Sequence, residues 1–241
     1  VVFRVNSRGG NAIASDQIWR EVELTDKVKP VVVSMGNYAA SGGYYIAAAA
    51  RKIMASPVTV TGSIGVFGLI PNAQTLLDNK LGISSDVVRT NAHSDSPSLT
   101  RPLSAFEKDA LQGNVERTYR TFTGVVAAGR DMSQPAVDSI GQGHVWSGAD
   151  AVPIGLVDSF GGLSDAIREA ATLAGLEEYR TIEKPEASDF YTKLLKELTG
   201  DIRAKAIRKE LGEVSRYYFD LKEIISSGGI QAAMPYYLEI R

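Results

Sequence analysis

Two apolar segments, residues 1–5 and 31–35, are each followed by a turn of small residues and then by a helical pattern. Residues 12–26 have apolar side chains at helical spacing, and an alanine-rich stretch follows the second apolar segment. Strands that alternate with helices in this way form parallel βαβ units. The sequence therefore predicts an α/β fold.

The later part of the chain extends this alternation. Residues 86–90 and 154–157 are rich in apolar residues and are predicted as strands. Residues 105–130 form a long helical pattern, in which Tyr119 and Phe122 fit a packing stripe better than a cofactor site.

The composition changes at Lys184-Pro185, and the chain is then charge-rich and helix-like to about residue 227. We therefore predict a main domain of residues 1–183 and a helical C-terminal extension of residues 184–241. Acidic and basic residues are mixed in the extension, whereas a helix on a membrane surface has a strongly basic face. The mixture favours a helix that lies over a subunit or domain interface and has one solvated face.

Composition excludes several kinds of site. The chain has no cysteine, which excludes disulfides, thiolate metal sites and cysteine nucleophiles. With only two histidines, His93 and His144, we expect no multi-histidine metal centre, and no sequence feature implies a nucleotide or another cofactor. The net charge of −2 does not suggest the basic face of a nucleic-acid-binding protein.

The chain contains no apolar run of about 18 residues, so no transmembrane helix is expected in it. It begins without a methionine and inside a strand-like run. We interpret it as a piece of a longer protein, in which a membrane anchor would lie outside these 241 residues.

Ser41 is the candidate nucleophile. It stands in "AASGG", directly after the second apolar segment, and its small neighbours would let a peptide carbonyl approach its hydroxyl to about 3 Å. A helix that begins just after Ser41 would direct its unpaired N–H groups at a developing oxyanion. The same small residues also suit plain packing of a helix on a sheet, so this motif alone leaves both interpretations open.

A second motif, Gly9-Gly10, follows the first apolar segment as Ser41 follows the second. In a parallel sheet both motifs lie at the carboxyl ends of strands, where α/β folds place their sites. A glycine there can turn its N–H toward a ligand without a Cβ in the way. A simple tight turn explains the pair equally well.

Four motifs together carry a resemblance to a known family. They are "NSRGG", "KPVVVSMGNYAASGGYYIA", "TGSIGVFG" and "GHVWSGADAVPIGLVDSFGG", in that order. The chain resembles the signal peptide peptidase A (protease IV) family over residues 1 to about 180. This is a serine–lysine peptidase family of the Clp-protease/crotonase superfamily, and the resemblance implies a spiral of βαβ units. The ending "MPYYLEIR" suits the carboxyl-terminal half of the long, two-half form.

The resemblance implies a role for each matching position. Ser41 matches the nucleophile, and Ser63 in "TGSIG" matches a serine that hydrogen-bonds the catalytic lysine. Gly10 would donate its N–H to the oxyanion hole, and Gly42 is a second candidate donor. Arg8 departs from the proline of the family pattern, as Asn6 does from the aspartate, but neither change removes an N–H group that the hole needs.

The catalytic lysine is missing from its expected position. In short members of the family it lies about fifty residues after the serine, in a pattern like "AHKD", where this chain reads "AHSD" with Ser94 in its place. In the long form the lysine comes from the amino-terminal half of the protein. We therefore expect that these 241 residues have an incomplete dyad and are inactive alone, with the amino-terminal half as the partner.

A lysine base must lose its proton near neutral pH, which requires a pKa about two to three units below its free value. Burial away from water supplies such a shift. Lys52, which is close to Ser41 in sequence, lies in a polar stretch and is expected at the surface.

Histidine offers the main alternative mechanism. His93 and Asp95 could complete a Ser-His-Asp triad with Ser41, although both fall in a polar loop. His144 is better explained as a turn residue beside Trp146, and Asp158 as a turn cap at the end of a strand.

The resemblance implies a serine endopeptidase that degrades cleaved signal peptides and other short apolar peptides. Apolar specificity suits the segment that begins "GVFG", where Val66 and Phe67 are candidate pocket residues. Two other classes stay open: a crotonase-type acyl-CoA enzyme with no serine nucleophile, and a non-catalytic half that only builds an oligomer. The resemblance also implies a homo-oligomer, expected to be a tetramer, at the extracytoplasmic side of a membrane.

Overall fold

The structure is a computed structural model that describes residues 1–185, residues 209, 210, 212 and 215, and the backbone of residues 230–233. The chain divides into two compact units, one of Val1–Gly175 with Gly229–Arg241 and one of Leu176–Gly228. Residues 176–185 of the second unit have irregular, exposed backbone. Most of the predicted helical extension, residues 184–241, lies outside the described residues, so that prediction and its boundary stay predictions.

The first unit contains the helices and strands that position the site. Its strands are β1 (Val2–Ser7), β2 (Gly9–Asn11), β3 (Val32–Ala40), β4 (Lys52–Ala55), β5 (Val60–Gly62), β6 (Phe67–Gly68), β7 (Val145–Ser147), β8 (Ser159–Phe160) and β9 (Ile230–Ala233). Its helices are α1 (Ala12–Val28), α2 (Gly42–Tyr45), α3 (Gln74–Leu76), α4 (Ala105–Gly129), α5 (Gln134–Ile140), α6 (Gly148–Ala151) and α7 (Leu163–Leu173). A π-helical turn, Leu77–Leu81, directly follows α3.

Six of the described strands form one curled, mainly parallel sheet in the order β7-β5-β3-β4-β8, with β1 paired to β3. The first half of β3 pairs with β4 and its second half with β5, while β1 runs along the opposite edge. All of these pairings are parallel, and β7 joins β5 antiparallel. The predicted α/β class with parallel βαβ units is confirmed.

Strand β3 runs through the core because nearly all of its residues are apolar or small. Val32 and Val33 are fully buried, as are Ala39 and Ala40 at its carboxyl end. Phe122 of α4 is also fully buried, and its ring packs 4.7 Å from that of Tyr45 in α2. Burial of a side chain of this size contributes about 2–3 kcal/mol. The end of β3 and the short α2 are thereby held in a packed environment.

A second, three-stranded antiparallel sheet lies in the order β2-β9-β6. Gly10 of β2 pairs with Ala232, and Phe67 of β6 pairs with Gln231. A strand from near the end of the chain therefore lies between the segment of Gly9-Gly10 and the segment that follows Ser63.

The predicted helices begin where side chains cap them. The Asn11 side chain accepts hydrogen bonds from the N–H groups of Ile13 and Ala14, so α1 begins at Ala12. Ser104 and Glu107 form a capping box that begins α4. No helix in the described part of the chain combines the length and apolarity needed to cross a membrane.

Two predicted strands are wrong. Residues 86–90 form no strand, and Val88 is 98% exposed, because no neighbouring strand pairs with this apolar segment. Residues 154–157 form a turn in which Gly155 has a φ of +78°, and strand β8 begins two residues later. Neither segment is paired with another strand in the described part of the chain; Leu156 and Val157 are nevertheless buried, so burial and side-chain propensity alone do not make a strand.

Candidate active site

Ser41 occupies a sharp turn between β3 and α2. Its backbone has φ 54° and ψ −118°, a conformation that glycine adopts far more readily than serine. The Ser41 N–H donates to the Gly62 carbonyl at 2.8 Å, and the Ser41 carbonyl accepts from the N–H groups of Tyr44 and Tyr45. These bonds hold a residue whose backbone strain costs on the order of 1–3 kcal/mol, which is typical of functional sites.

The Ser41 side chain is buried, with 0% of its surface exposed. Its Oγ donates to the Gly65 carbonyl at 3.3 Å, and this is its one hydrogen bond with the described residues. No imidazole, and no lysine in the described ranges, is bonded to it. The hydroxyl is therefore covered by the segment that follows β5.

The Gly9-Gly10 turn packs against the nucleophile turn. The Ser7 side chain accepts from the Gly9 N–H at 3.1 Å, and Gly9 has a φ of +103°, which favours glycine. A Cβ added at Gly43 would lie 2.5 Å from the Ser7 carbonyl oxygen. The glycine at position 43 thus allows the backbone before Gly10 to approach α2 closely.

The two candidate oxyanion donors, Gly42 and Gly10, lie in α2 and in β2. Gly42 is the first residue of α2, where N–H groups have no acceptor inside the helix. Gly10 lies in β2 and is half-buried, and a Cβ added there would meet nothing within 4 Å. The packing of the protein itself therefore leaves open space beside Gly10.

Ser63 follows Gly62, the residue that accepts from the Ser41 N–H. It also has left-handed backbone, with φ 48°, and its N–H donates to the His144 carbonyl at 2.7 Å. Ser63 is almost fully buried, yet it lines a cavity. Ser41 and Ser63 are thus joined through one intervening backbone carbonyl.

This cavity has a volume of about 320 Å³ and is lined by Ser63, Gly65, Val66, Phe67, Tyr119, Gln142 and Gly143. Val66 and Phe67 were the candidate pocket residues, and both line it. Sequence reasoning missed Tyr119, which it placed in the packing stripe of α4, and it missed Gln142 altogether. Both are far from Ser63 in sequence, and no local pattern links them to it. A neighbouring cavity of about 610 Å³ lies along residues 141–146.

The histidine and the carboxylate proposed for a triad are engaged elsewhere. His93 Nδ1 lies 3.2 Å from Glu107, and the imidazole stacks on Phe106. Asp95 pairs with Arg101 and Arg89. The structure does not bring His93 or Asp95 into hydrogen-bond contact with the Ser41 hydroxyl.

Three other polar candidates have structural roles. His144 lies beside Trp146, as expected, with ring centroids 4.2 Å apart. Asp158 accepts from the Ile53 N–H at 2.6 Å and pairs with Arg130, so it ties β4 to the turn before β8. Lys52 Nζ donates to Glu169 at 2.6 Å.

Sequence reasoning also missed an ion-pair cluster at the start of α4. The Arg101 guanidinium bonds both Asp95 and Glu107. The hydrogen bonds from Arg101 lower the pKa of Asp95 to about 2 and hold the pKa of Glu107 well below its usual range. Within the described ranges, no group of three or more acidic, histidine or cysteine side chains could hold a metal ion.

Comparisons with known proteins identify the family that this chain matches. The family described as "Peptidase family S49" matches residues 23–177. Protease 4 of Salmonella typhi is 42% identical over 205 residues, which are 85% of this chain and 33% of that protein. The putative protease slr0021 of Synechocystis sp. is 36% identical over 234 residues, or 95% of this chain and 82% of that one.

The Protease 4 of Haemophilus influenzae is 39% identical over 184 residues, which are 76% of this chain and 30% of that protein. The chain therefore spans about a third of the length of the Protease 4 relatives. Among solved structures, a ClpP1 mutant from Listeria monocytogenes matches with a TM-score of 0.44 and 18% identity, over 69% of this chain and 76% of that one.

Proposed function

The chain belongs to peptidase family S49, and on that premise we propose that it carries the nucleophile of a serine endopeptidase, Ser41. The observation that supports this most is the strained turn that holds Ser41 between β3 and α2, packed beside the Gly9-Gly10 turn. Strain of this kind at a residue with reactive chemistry is characteristic of catalytic turns.

In the proposed reaction the Ser41 oxygen attacks the carbonyl carbon of a peptide bond, and its proton passes to a neutral lysine. The N–H groups of Gly10 and Gly42 stabilise the oxyanion. The C–N bond then breaks, and the lysine returns the proton to the leaving amine. Water, deprotonated by the same lysine, attacks the acyl carbon, the bond from that carbon to the Ser41 oxygen breaks, and the lysine returns the proton to Ser41.

The lysine is proposed to come from an amino-terminal half of the protein, outside these 241 residues. Two observations support this. No lysine among the described residues bonds the Ser41 hydroxyl, and Lys52, the lysine nearest in sequence, is held by Glu169. Ser63 would accept a hydrogen bond from the incoming lysine and orient it, since it lines the cavity next to Gly65.

Substrate access requires a local movement. Because the Ser41 side chain is fully buried and bonded to Gly65, the segment of Ser63–Gly65 must shift before a carbonyl can reach the nucleophile. At 3.3 Å this hydrogen bond is long, so its loss costs little.

The proposed substrates are extended, apolar peptides, including cleaved signal peptides. Strand β9 of the chain itself pairs antiparallel with both β2 and β6, so the segments beside Gly10 and after Ser63 can hold an extended backbone between them, which supports substrates that bind in an extended conformation. Assembly into a homo-oligomer and attachment to the extracytoplasmic side of a membrane, by an anchor outside this chain, belong to the same proposal.

The test is labelling with a fluorophosphonate probe in the full-length protein. We expect the wild type to be labelled at Ser41 and to hydrolyse apolar peptides, and Ser41→Ala to lose both. Ser94→Ala, at an exposed serine, is the matched control and retains both. Peptide hydrolysis that survives in Ser41→Ala would exclude the proposed nucleophile. Acyl-CoA turnover that survives the same substitution would instead indicate a crotonase-type enzyme.

A further inference from the structure

The last described strand of the chain lies where the proposed substrate would bind. Strand β9 (Ile230–Ala233) is the middle strand of the second sheet, between β2, which carries Gly10, and β6, which follows Gly65. We propose that β9 occupies the position of an extended substrate and keeps the site autoinhibited until a peptide displaces it. This inference rests on the proposed peptidase function and adds a mode of regulation to it.

The pairing of β9 uses both of its edges. On one side Gly10 pairs with Ala232 and Asn11 pairs with Gln231, and on the other side Phe67 pairs with the same Gln231. Both pairings are antiparallel. In the described part of the chain, β2 and β6 pair with no other strand. The edges that β2 and β6 turn toward each other are therefore already paired with β9.

The space between β2 and β6 admits one strand. Hydrogen-bonded strands lie about 4.8 Å apart, so the two strands on either side of β9 are separated by about 10 Å. A second extended backbone does not fit into this gap. A peptide that lies between the strand of Gly10 and the strand after Ser63 must therefore take the place of β9.

The sequence of β9 resembles the proposed substrates. It reads Ile-Gln-Ala-Ala, with three apolar residues and no charge, although the chain from residue 184 to about residue 227 is charge-rich. A charged side chain would lose its water on entering a covered site without gaining a partner of opposite charge. An uncharged, mainly apolar segment suits the same position as the apolar peptides of the proposed function.

Strand β9 also restrains the segment that covers the nucleophile. Phe67 and Gly68 of β6 pair with β9, and Gly65, two residues before β6, accepts the hydrogen bond from the Ser41 hydroxyl. Substrate access requires this segment to move, and strand pairing two residues away holds it in place. Since the hydroxyl stays on the Gly65 carbonyl while β9 is paired, β9 blocks the site without being cleaved.

An occupant of this kind acts as a competitive inhibitor. A segment tethered to the same chain competes at an effective concentration on the order of millimolar. When it fills the substrate position in about nine of ten molecules, the measured KM is about tenfold above that of the open site, whereas kcat is unchanged.

The experiment compares the full-length protein with a variant that ends at Gly228 and with Gln231→Pro. Proline at position 231 removes a backbone N–H from the residue that faces both β2 and β6, and proline does not suit a central strand. Both variants should hydrolyse apolar peptides with a KM about tenfold below that of the wild type and with an unchanged kcat. Gln231→Thr keeps the N–H and suits a strand, so this matched control should keep the wild-type KM.

A synthetic peptide provides a second measurement that does not depend on the stability of Gln231→Pro. The peptide GGIQAAMP, the sequence of residues 228–235, should raise the KM of the truncated variant without changing its kcat when it is added at millimolar concentration. The peptide GGIPAAMP, which lacks the same N–H, should raise it less.

An unchanged KM in the truncated variant and in Gln231→Pro, with hydrolysis retained, would overturn the inference. A fall in both kcat and melting temperature in the two variants would also overturn it, because β9 would then be a permanent strand of the fold. Labelling of Ser41 by the fluorophosphonate probe is measured in the same proteins. A wild type that is not labelled and cleaves no apolar peptide would instead refute the proposed function itself.

Discussion

The Ser41 hydroxyl donates a hydrogen bond to the carbonyl oxygen of Gly65, and the two oxygens lie 3.3 Å apart. The same Gly65 lines the cavity next to Ser63. The nucleophile of the proposed mechanism is thus covered by the segment that borders the candidate substrate pocket.

Replacement of Ser41 by glycine should give a more stable protein than replacement by alanine. Alanine keeps the strain of φ 54°, whereas glycine relieves it. Glycine also has the larger backbone entropy in the unfolded chain, which offsets part of this relief. The free energy of unfolding of Ser41→Gly should therefore exceed that of Ser41→Ala by about 1 kcal/mol. Both variants should be inactive. Denaturant unfolding measures the difference, and an alanine variant as stable as the glycine variant would show that the turn is not strained.

Two glycine-to-alanine substitutions should distinguish a glycine needed for packing from a glycine needed for catalysis. Gly43→Ala places a Cβ against the Ser7 carbonyl oxygen and should destabilise the fold by about 1–3 kcal/mol. Gly10→Ala adds a methyl group to open space and should leave thermal stability nearly unchanged. It should nonetheless lower peptide hydrolysis, because the methyl group would meet the incoming substrate. Full activity in Gly10→Ala would show that the substrate does not approach the Gly10 Cα.

Ser63→Ala should lower kcat of the full-length protein on the order of tenfold or more, because the lysine loses an orienting hydrogen bond. The change removes only a hydroxyl, so the melting temperature should move little. Ser139→Ala, at an exposed serine, provides the comparison. A large fall in melting temperature without a fall in kcat would instead assign Ser63 a purely structural role.

The Arg101 cluster should make stability depend on acid pH. Arg101 lowers the pKa of Asp95 from 3.8 to about 2 and lowers that of Glu107 from 4.5. Both carboxyls therefore stabilise the fold above their unfolded pKa values, and this contribution is lost as the pH falls through the folded values. The measurement is the melting temperature of the wild type and of Arg101→Gln across pH.

The difference between these two proteins should be largest above about pH 5 and should shrink as the pH falls toward 2. Arg168→Gln is a suitable control, because Arg168 forms an exposed i,i+3 pair with Asp165 on α7. A difference that grows with acid would contradict the direction of the pKa shifts.

Much of the fold follows from local patterns in the sequence. The apolar segment around Val32 and Val33 is buried on both faces, and it forms the parallel strand that was expected of it. Asn11 and Ser104 fix where α1 and α4 begin, because the side chain of each caps the helix that follows it. Val88 shows the limit of such reasoning, since an apolar residue becomes a strand residue only when another strand pairs with it.

The candidate site was only partly predictable. The turns that carry Ser41 and Gly9-Gly10 have local signatures, and the parallel sheet brings their strands together. Tyr119 and Gln142 reach the cavity through the packing of α4 and of the loop before β7, which no short motif encodes. Arg101, Asp95 and Glu107 were missed for the same reason, since their pairing depends on how one loop folds back on α4.

Ser41 donates two hydrogen bonds to the end of β5 and the segment after it, from its N–H to the Gly62 carbonyl and from its hydroxyl to the Gly65 carbonyl, and Ser63 lies between these two acceptors in sequence. A displacement of Ser63 therefore disturbs at least one of the bonds that hold the nucleophile. In the proposed enzyme, the movement of Ser63–Gly65 that admits the peptide therefore also moves the residue that orients the lysine. Until that movement occurs, the serine stays closed off from stray carbonyl compounds.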